Sequence, residues 1–480
     1  MKPTTLWSAA LCVAASVAFG DDANSVRIHG QAWLDVGRIV NSTDTITYNT
    51  VSGNVLNLNG NGIQSSGAQF TAVSEFGNNF EGALGFGVQK VNHAIGQGTR
   101  SFLTISLYQE YITESRLTYY LGEKSNPALS VTLGTFAYNY NPDVKNLGLY
   151  LLRGPVYPGV LMGGFQDFAV DSTKGTMLGL HIHQATGNFS EDLILNNERE
   201  IPPTLDWSLA YVAKYKAFDA LEIGAGVNFY RLIPYDSKLE TPGHLSDAAL
   251  GFQKQAYVEV DPATNDTTFF SNQGTKVMGM MSLDLKRLFG IQSSNPDDMK
   301  LYGEAALLGT KNYGKTYGDR MKRIPVMAGF NIPTFGLLDH VSLEVEYYSA
   351  LYRNDLFHVG NNNVVADWTL QPRPIPSPKP VTNADYGIDS LGNWVNALGD
   401  TVNVKGTAMD MEHMTQDNLK WSLFVDKTFA HHVMFMGQVA NDHYRPRSVA
   451  TGLIKAEGGT AEAFSTLKDW YFMVRMGYFF

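Results

Sequence analysis

Cysteine is nearly absent from this sequence, and charged residues are few. The 480 residues include a single cysteine, Cys12, so the chain has neither an internal disulfide nor a cysteine-ligated metal site. Charged residues make up 17%, and 46 acidic against 36 basic residues give a formal net charge of −10. Because a negative chain is repelled by phosphates, we expect no nucleic-acid partner.

Long apolar runs are also missing after the first twenty residues. Lys2, the apolar stretch 6–17 and the small-x-small ending at Gly20 are typical of a secretory signal peptide, predicted at residues 1–20. Its removal with Lys2 changes the formal charge from −10 to −11. The remaining domain, residues 21–480, has no run near the roughly eighteen apolar residues of a transmembrane helix, so a closed β-barrel is the membrane-spanning fold left to it.

Catalytic motifs are lacking as well. The sequence contains no nucleophile elbow, no phosphate-binding loop and no H-E-x-x-H. His181 and His183 share one face of a predicted strand, but the spacing offers no third metal ligand. We interpret them as polar lumen residues and predict no enzyme activity, no catalytic residue, no cofactor and no bound metal. An enzyme on the rim of a barrel is the weaker alternative.

Alternating apolar residues are what the sequence does contain. In residues 469–480, D-W-Y-F-M-V-R-M-G-Y-F-F, every second residue from Trp470 to Phe480 is apolar, while Asp469 and Arg475 lie in the other row. This period of two predicts a β-strand with one wholly apolar face. If that face meets lipid, a slip of one residue would expose Arg475 at a cost of about 2–4 kcal/mol, so the register is firmly set.

The same alternation recurs along the domain and predicts about sixteen strands, within a range of 14–18. The predicted strands are 26–36, 67–76, 80–91, 101–121, 128–138, 159–168, 175–184, 205–217, 220–232, 274–288, 299–309, 321–332, 341–351, 419–429, 433–443 and 470–480. Their connections alternate between short and long, as in transmembrane barrels with short periplasmic turns and long outer loops. We therefore predict an all-β fold, a transmembrane antiparallel β-barrel.

The polar face of these strands collects charged residues. Those assigned to the lumen are Arg27, Asp35, Glu110, Glu114, Arg116, Glu222, Glu344, Glu346, Lys420, Asp426 and Arg475. In a soluble barrel or sandwich this face would instead be the outer surface. Aromatic residues near both strand ends, such as Trp207 and Trp421 at one end and Tyr215 and Tyr478 at the other, favour a membrane, because such rings suit the headgroup interface.

This combination of strands, turns and a closing strand that ends in Tyr478 and Phe480 resembles bacterial outer-membrane β-barrel proteins, and porins in particular. The resemblance implies that the third long loop, N-Y-N-P-D-V-K-N-L-G-L-Y-L-L-R-G-P-V-Y-P-G at 139–159, folds inward, with Asp143, Lys145 and Arg153 at a pore constriction. About twenty residues of this loop also look like a segment of Fibrobacter-type outer-membrane proteins.

The resemblance further implies that Tyr478 and Phe480 form a signal for the barrel-assembly machinery, that outer-membrane lipid surrounds the barrel and that the chain forms a homo-oligomer. We therefore predict an integral protein of the Gram-negative outer membrane, and a channel for passive diffusion of small hydrophilic solutes or ions. The alternative is a surface adhesin that binds a polysaccharide. Aromatic residues able to stack on sugar rings are Trp368 and Trp394 of the long loop 352–418, with Tyr138, Tyr140, Tyr150 and Tyr157.

Overall fold

Sixteen antiparallel strands close into one barrel in the computed structural model of the chain. They are β1 (Val26–Asn41), β2 (Gly62–Phe76), β3 (Phe80–Gln97), β4 (Arg100–Leu121), β5 (Leu129–Tyr138), β6 (Gly175–Thr186), β7 (Phe189–Asn197), β8 (Trp207–Phe218), β9 (Leu221–Ile233), β10 (Gly274–Asp284), β11 (Lys300–Leu307), β12 (Pro325–Asn331), β13 (His340–Tyr348), β14 (Leu419–Phe429), β15 (Val433–Asn441) and β16 (Trp470–Phe479). Each strand pairs with its neighbours in sequence, and β16 pairs with β1. The predicted all-β fold and the strand number are confirmed.

The structure describes residues 26–42, 45–49, 54–57, 59–60, 62–97, 100–125, 127–152, 175–197, 206–233, 256–260, 264, 267–271, 274–292, 295–310, 320–348, 387–388, 394–395, 419–444, 464 and 466–480. The predicted signal peptide at 1–20, Arg153 and nearly all of the loop 352–418 lie outside these residues.

One strand of the barrel was not predicted from the sequence. The predicted strand at residues 159–168 lies outside the described residues, and β5 pairs directly with β6 in the barrel. The missing strand is β7, which turns back from β6 at Gly187 and Asn188 and pairs with both β6 and β8. Gly187 has a φ of +58°, a conformation that glycine adopts without the steric cost other residues meet.

Smaller elements occur in the connections. Three two-stranded hairpins pair Thr45–Asn49 with Asn54–Asn57, Ala256–Val260 with Thr267–Ser271, and Gly387–Ile388 with Trp394–Val395. A short helix, α1 (Leu285–Phe289), follows β10, and its first turn is capped by the Asp284 carboxylate, which accepts from the backbone N–H of Lys286 at 3.0 Å. Arg320–Arg323 form a 3-10 helix. None of the helices in the described segments has the length and apolar character needed to cross a membrane.

The outward face of the barrel is apolar and exposed. Its exposed side chains along the strands include Val36, Val88, Leu117, Leu133, Leu193, Ile223, Val277, Leu301, Val326, Leu343, Leu423, Val474 and Met476. Exposed aromatic rings lie near the short turns, namely Phe76, Phe80, Phe189, Tyr215, Phe218, Phe429, Phe435 and Tyr478. An apolar surface this extensive would be unfavourable in water, whereas an apolar band with an aromatic rim matches a bilayer.

The seam between β1 and β16 closes the barrel with a buried ion pair. Asp35 and Arg475 are direct partners in the register, and both lie on the inner face. The Arg475 guanidinium donates from Nε to Asp35 Oδ1 at 2.7 Å and from its terminal nitrogen to Oδ2 at 3.0 Å, and Ser65 donates to Oδ2 at 2.5 Å. At the short-turn end, Phe480 and Gly30 exchange two backbone hydrogen bonds of 2.8 and 3.0 Å. Side chains and backbone therefore fix the same register.

Candidate functional site

Residues 139–152, which follow β5, run along the inside of the barrel, and we call them the inner segment. Most of their side chains are buried, among them Tyr140, Leu147 and Tyr150, although the segment forms neither helix nor strand beyond single turns. A buried stretch of this kind must find hydrogen-bond partners for its backbone outside itself. The barrel wall supplies them.

Two wall carboxylates accept hydrogen bonds from the backbone N–H groups of the inner segment. Glu344 on β13 accepts from Lys145 at 2.6 Å, from Asn146 at 2.9 Å and from Leu147 at 2.7 Å. Glu304 on β11 accepts from Leu149 at 3.0 Å and Tyr150 at 2.8 Å, and also from the Tyr140 hydroxyl. Hydrogen bonds to a charged acceptor each contribute about 1.5–3 kcal/mol. The two glutamates thus fix the path of the inner segment.

Wall side chains that donate hydrogen bonds complement these carboxylates. Asn228 on β9 donates to the carbonyl of Leu151 at 2.9 Å, and Lys276 on β10 donates to that of Tyr150 at 3.3 Å. Lys214 on β8 donates to the carbonyl of Tyr140 at 3.4 Å. Side chains of β8, β9, β10, β11 and β13 therefore supply both acceptors and donors to the backbone of the inner segment.

Apolar packing adds to this hydrogen bonding. The buried cluster that contains the leucines of the inner segment also includes the inward residues Val212, Met278, Met280, Tyr302, Met327 and Tyr348. Gly226 on β9 leaves room for Leu151, because a Cβ added there would lie 2.7 Å from Leu151 Cδ2. Burying several leucines and methionines stabilises the inner segment by about 1.5–3 kcal/mol per side chain.

A chain of ion pairs connects the inner segment to the short-turn end. Asp143 accepts from Lys300 at 2.9 Å, and Lys300 also bonds Asp297 at 2.6 Å. His340 lies between Asp297, at 3.0 Å, and Asp426, at 2.7 Å. Asp297 belongs to the β10–β11 connection, and its hydrogen bond with His340 holds the pKa of its carboxyl well below the ordinary value.

The inner segment also meets the start of the β15–β16 connection. Asn146 donates to Asp442 Oδ2 at 2.5 Å, and the Tyr471 hydroxyl donates to the same oxygen at 2.9 Å. Burial raises the pKa of the Asp442 carboxyl. Glu346 is bonded to Tyr150 at 2.9 Å and to His443 at 2.7 Å. Two loops thus contact each other inside the barrel.

The opposite wall, formed by β1 to β4, carries charged side chains that water reaches. Arg116 on β4 lies 2.9 Å from Glu81 on β3 and also pairs with Glu114, and these three side chains are half-buried. Near the short turns Arg27 pairs with Glu75 at 2.8 Å, and both are well exposed. These charged side chains are therefore partly exposed, whereas Asp35, Ser65 and Thr118 on the inner face of the same strands are buried.

The other residues assigned to the lumen from the sequence have different surroundings. Lys420 is buried and donates to the carbonyl of Phe464 at 2.8 Å, whereas Glu222 is half-buried. The β3–β4 pairing contains a register shift, and Glu110 is paired with Val88. Because of this shift, the alternation of inward and outward residues does not run unbroken from Glu110 to Arg116. The Glu110 side chain lies outside the described part of the chain. Of the three predicted constriction residues, Asp143 and Lys145 belong to the inner segment, and Arg153 is not described.

Sequence reasoning missed Glu304 as an anchor, the methionine-rich interior and Asp192. Glu304 lies in the predicted strand 299–309, but nothing in that strand identifies its partners. The apolar interior had a detectable signal, because β10, β15 and β16 carry apolar residues on both faces, as in V-M-F-M at 433–436. A strand apolar on both faces must pack on both sides.

No protein-family model and no curated protein sequence matches the chain. Solved structures that match include a mutant of the Rh. blastica porin, with 10% identity, coverage of 95% of this chain and 100% of that chain, and a TM-score of 0.37. Salmonella typhi OmpF in complex with daunomycin matches with 9% identity, 96% and 99% coverage, and a TM-score of 0.42. A loop-deletion mutant of OmpT from Vibrio cholerae matches with 9% identity, 96% and 100% coverage, and a TM-score of 0.38.

Proposed function

We propose that the protein is a porin-like channel of the bacterial outer membrane, through which small hydrophilic solutes or ions diffuse passively. The observation that carries the proposal is the closed sixteen-strand barrel, which has charged side chains on its inner face and an apolar outside. Barrels of about sixteen strands are wide enough for an aqueous channel, and charged residues along a lumen favour water over lipid or a dry core.

The inner segment is the proposed constriction of this channel. Its support is the anchoring by Glu304 and Glu344, which holds the segment inside the barrel against β8 to β13. Asp143 bonds Lys300 and Ser282 on the wall, so we expect it to contribute less to ion preference than the half-buried Lys145.

Refolded protein in planar bilayers is expected to show a steady open level in single-channel recordings. Neutral sugars of increasing size added to the bath should lower the conductance until they become too large to enter, which measures the constriction. A consistently silent bilayer, with folding verified by circular dichroism, would contradict the channel. If the silent protein bound polysaccharide, the adhesin alternative would be favoured. Of the aromatics on which that alternative depends, Tyr138, Tyr140 and Tyr150 are buried, and nearly all of the loop 352–418 lies outside the described residues. The adhesin stays a prediction, as does the homo-oligomer.

We also propose that the exposed rings of Tyr478 and Phe480 on the closing strand are contacted by the barrel-assembly machinery. Phe480→Ala keeps the backbone bonds to Gly30 but removes the ring, and it should lower the amount of barrel in the outer membrane of expressing cells several-fold. Refolding of the same variant in detergent should be unchanged. Phe472→Ala, an exposed ring earlier on β16, is the control. Equal membrane levels for both variants would contradict the assignment.

A further inference from the structure

Two histidines and an aspartate meet on the inner face of β6 and β7. His181 Nε2 and His183 Nδ1 each lie 2.8 Å from Asp192 Oδ1. One donor atom from each of the three side chains lies within 4.8 Å of the others. The histidines are two residues apart on β6 and so share a face, and His183 is paired with Asp192 in the register.

The surroundings of this cluster are rigid and open on one side. The His181 ring stacks on Phe136 at 5.6 Å and meets the Tyr138 ring edge-on at 5.0 Å. Asp192 is buried, with 5% of its side chain exposed, whereas His181 and His183 retain 17% and 32%. The donors are therefore held in place by packing and are reached from the lumen.

We propose that His181, His183 and Asp192 form a binding site for a divalent transition-metal ion such as Zn²⁺ inside the barrel. Imidazole nitrogens and a carboxylate oxygen are ligands that zinc prefers, at about 2.0–2.2 Å. Tetrahedral ligands at those distances are about 3.3–3.4 Å apart. The 2.8 Å separations need to widen by only a fraction of an ångström for an ion to replace the two hydrogen bonds.

The donor set also selects the class of ion. Mg²⁺ and Ca²⁺ require about six or more oxygen ligands, and this cluster offers two nitrogens and one carboxylate. Three protein ligands leave at least one position on zinc for water, on the side where the histidines are exposed. An ion bound there would add positive charge to the lumen close to the short-turn end.

Equilibrium dialysis of tag-free, refolded protein against ZnCl₂ tests the site. One Zn²⁺ per chain is expected to bind in a saturable manner. Asp192→Asn keeps the shape of the side chain and should weaken binding about tenfold or more, as should the double variant His181→Ala, His183→Ala. His431→Ala, in the β14–β15 turn, is the matched control and should bind as the parent does. Circular dichroism verifies that each variant is folded.

Absence of saturable binding by the parent, or equal affinity for the parent and the Asp192→Asn protein, would overturn the site. Co²⁺ offers a second readout, because its visible absorption changes when imidazoles replace water as ligands, and the change should be lost in the double variant. The site is independent of the channel proposal. If the protein binds Zn²⁺ but shows no conductance in bilayers, only the channel proposal is contradicted. If it conducts but does not bind Zn²⁺, only the metal-site proposal is contradicted.

Discussion

Deletion of residues 141–152 is expected to raise the single-channel conductance roughly twofold or more, because the inner segment occupies part of the lumen cross-section. The deletion takes away the backbone N–H groups bound by Glu304 and Glu344 and the leucines packed on β8 to β13. The wall glutamates then face water, where carboxylates are well solvated. Conductance of the refolded variant in planar bilayers, together with the size of the largest sugar that enters, measures the change.

A point substitution gives the same test with less disturbance. Glu344→Ala removes the acceptor for three backbone N–H groups and is expected to produce switching between the parent level and a larger one as the inner segment detaches. Glu222→Ala is the matched control, since Glu222 is an inward carboxylate on β9 with no hydrogen bond to the inner segment in the described part of the chain. If the deletion and Glu344→Ala both left the conductance at the parent value, the inner segment would not be the constriction.

The barrel itself could be predicted from the sequence because lipid imposes a strict rule on each strand. Apolar residues at every second position, as in β16, predict both the strand and its register, and the pairing of β16 with β1 follows from closure. Turn lengths supply the direction of each strand. These are local patterns of period two, and a single sequence contains them in full.

β7 was missed because its pattern is broken by a charged residue on the lipid-facing side. Glu191 shares the outward face of Leu193, and its carboxylate accepts a hydrogen bond from the Tyr211 hydroxyl on β8 at 2.7 Å. Without knowledge of that partner, the run F-S-E-D-L reads as a polar loop. Because Asp192 lies on this strand, its place beside His181 and His183 was not predicted either.

The anchors of the inner segment could not be predicted for a different reason. Glu344 and Leu147 lie 197 positions apart in the chain, and no local pattern relates them. The alternation of apolar and polar residues shows that Glu344 faces inward. It does not distinguish a solvent-exposed carboxylate from one that accepts hydrogen bonds from backbone N–H groups. That distinction depends on where a loop without regular structure crosses the lumen.

Asp35→Ala is expected to destabilise the barrel by about 3–5 kcal/mol, the usual cost of leaving one member of a buried ion pair without its partner. Asp35 and Arg475 are 0% and 2% exposed at the seam, and the Arg475 guanidinium also lies 5.3 Å over the Trp33 ring. Loss of the carboxylate leaves a buried cation between β1 and β16. Urea unfolding of the refolded protein in lipid vesicles measures the free energy of unfolding.

A matched control distinguishes burial from the mere presence of an ion pair. Arg27 and Glu75 form a similar arginine–carboxylate pair with 63% and 37% of their side chains exposed, so Glu75→Ala should cost only about 0–1 kcal/mol. The double variant Asp35→Leu, Arg475→Leu should recover most of the stability lost in Asp35→Ala, since replacing both charges by apolar groups removes the desolvation cost. If Asp35→Ala and Glu75→Ala lowered stability equally, the seam pair would contribute no more than a surface pair, and the register of β16 would rest on its apolar face alone.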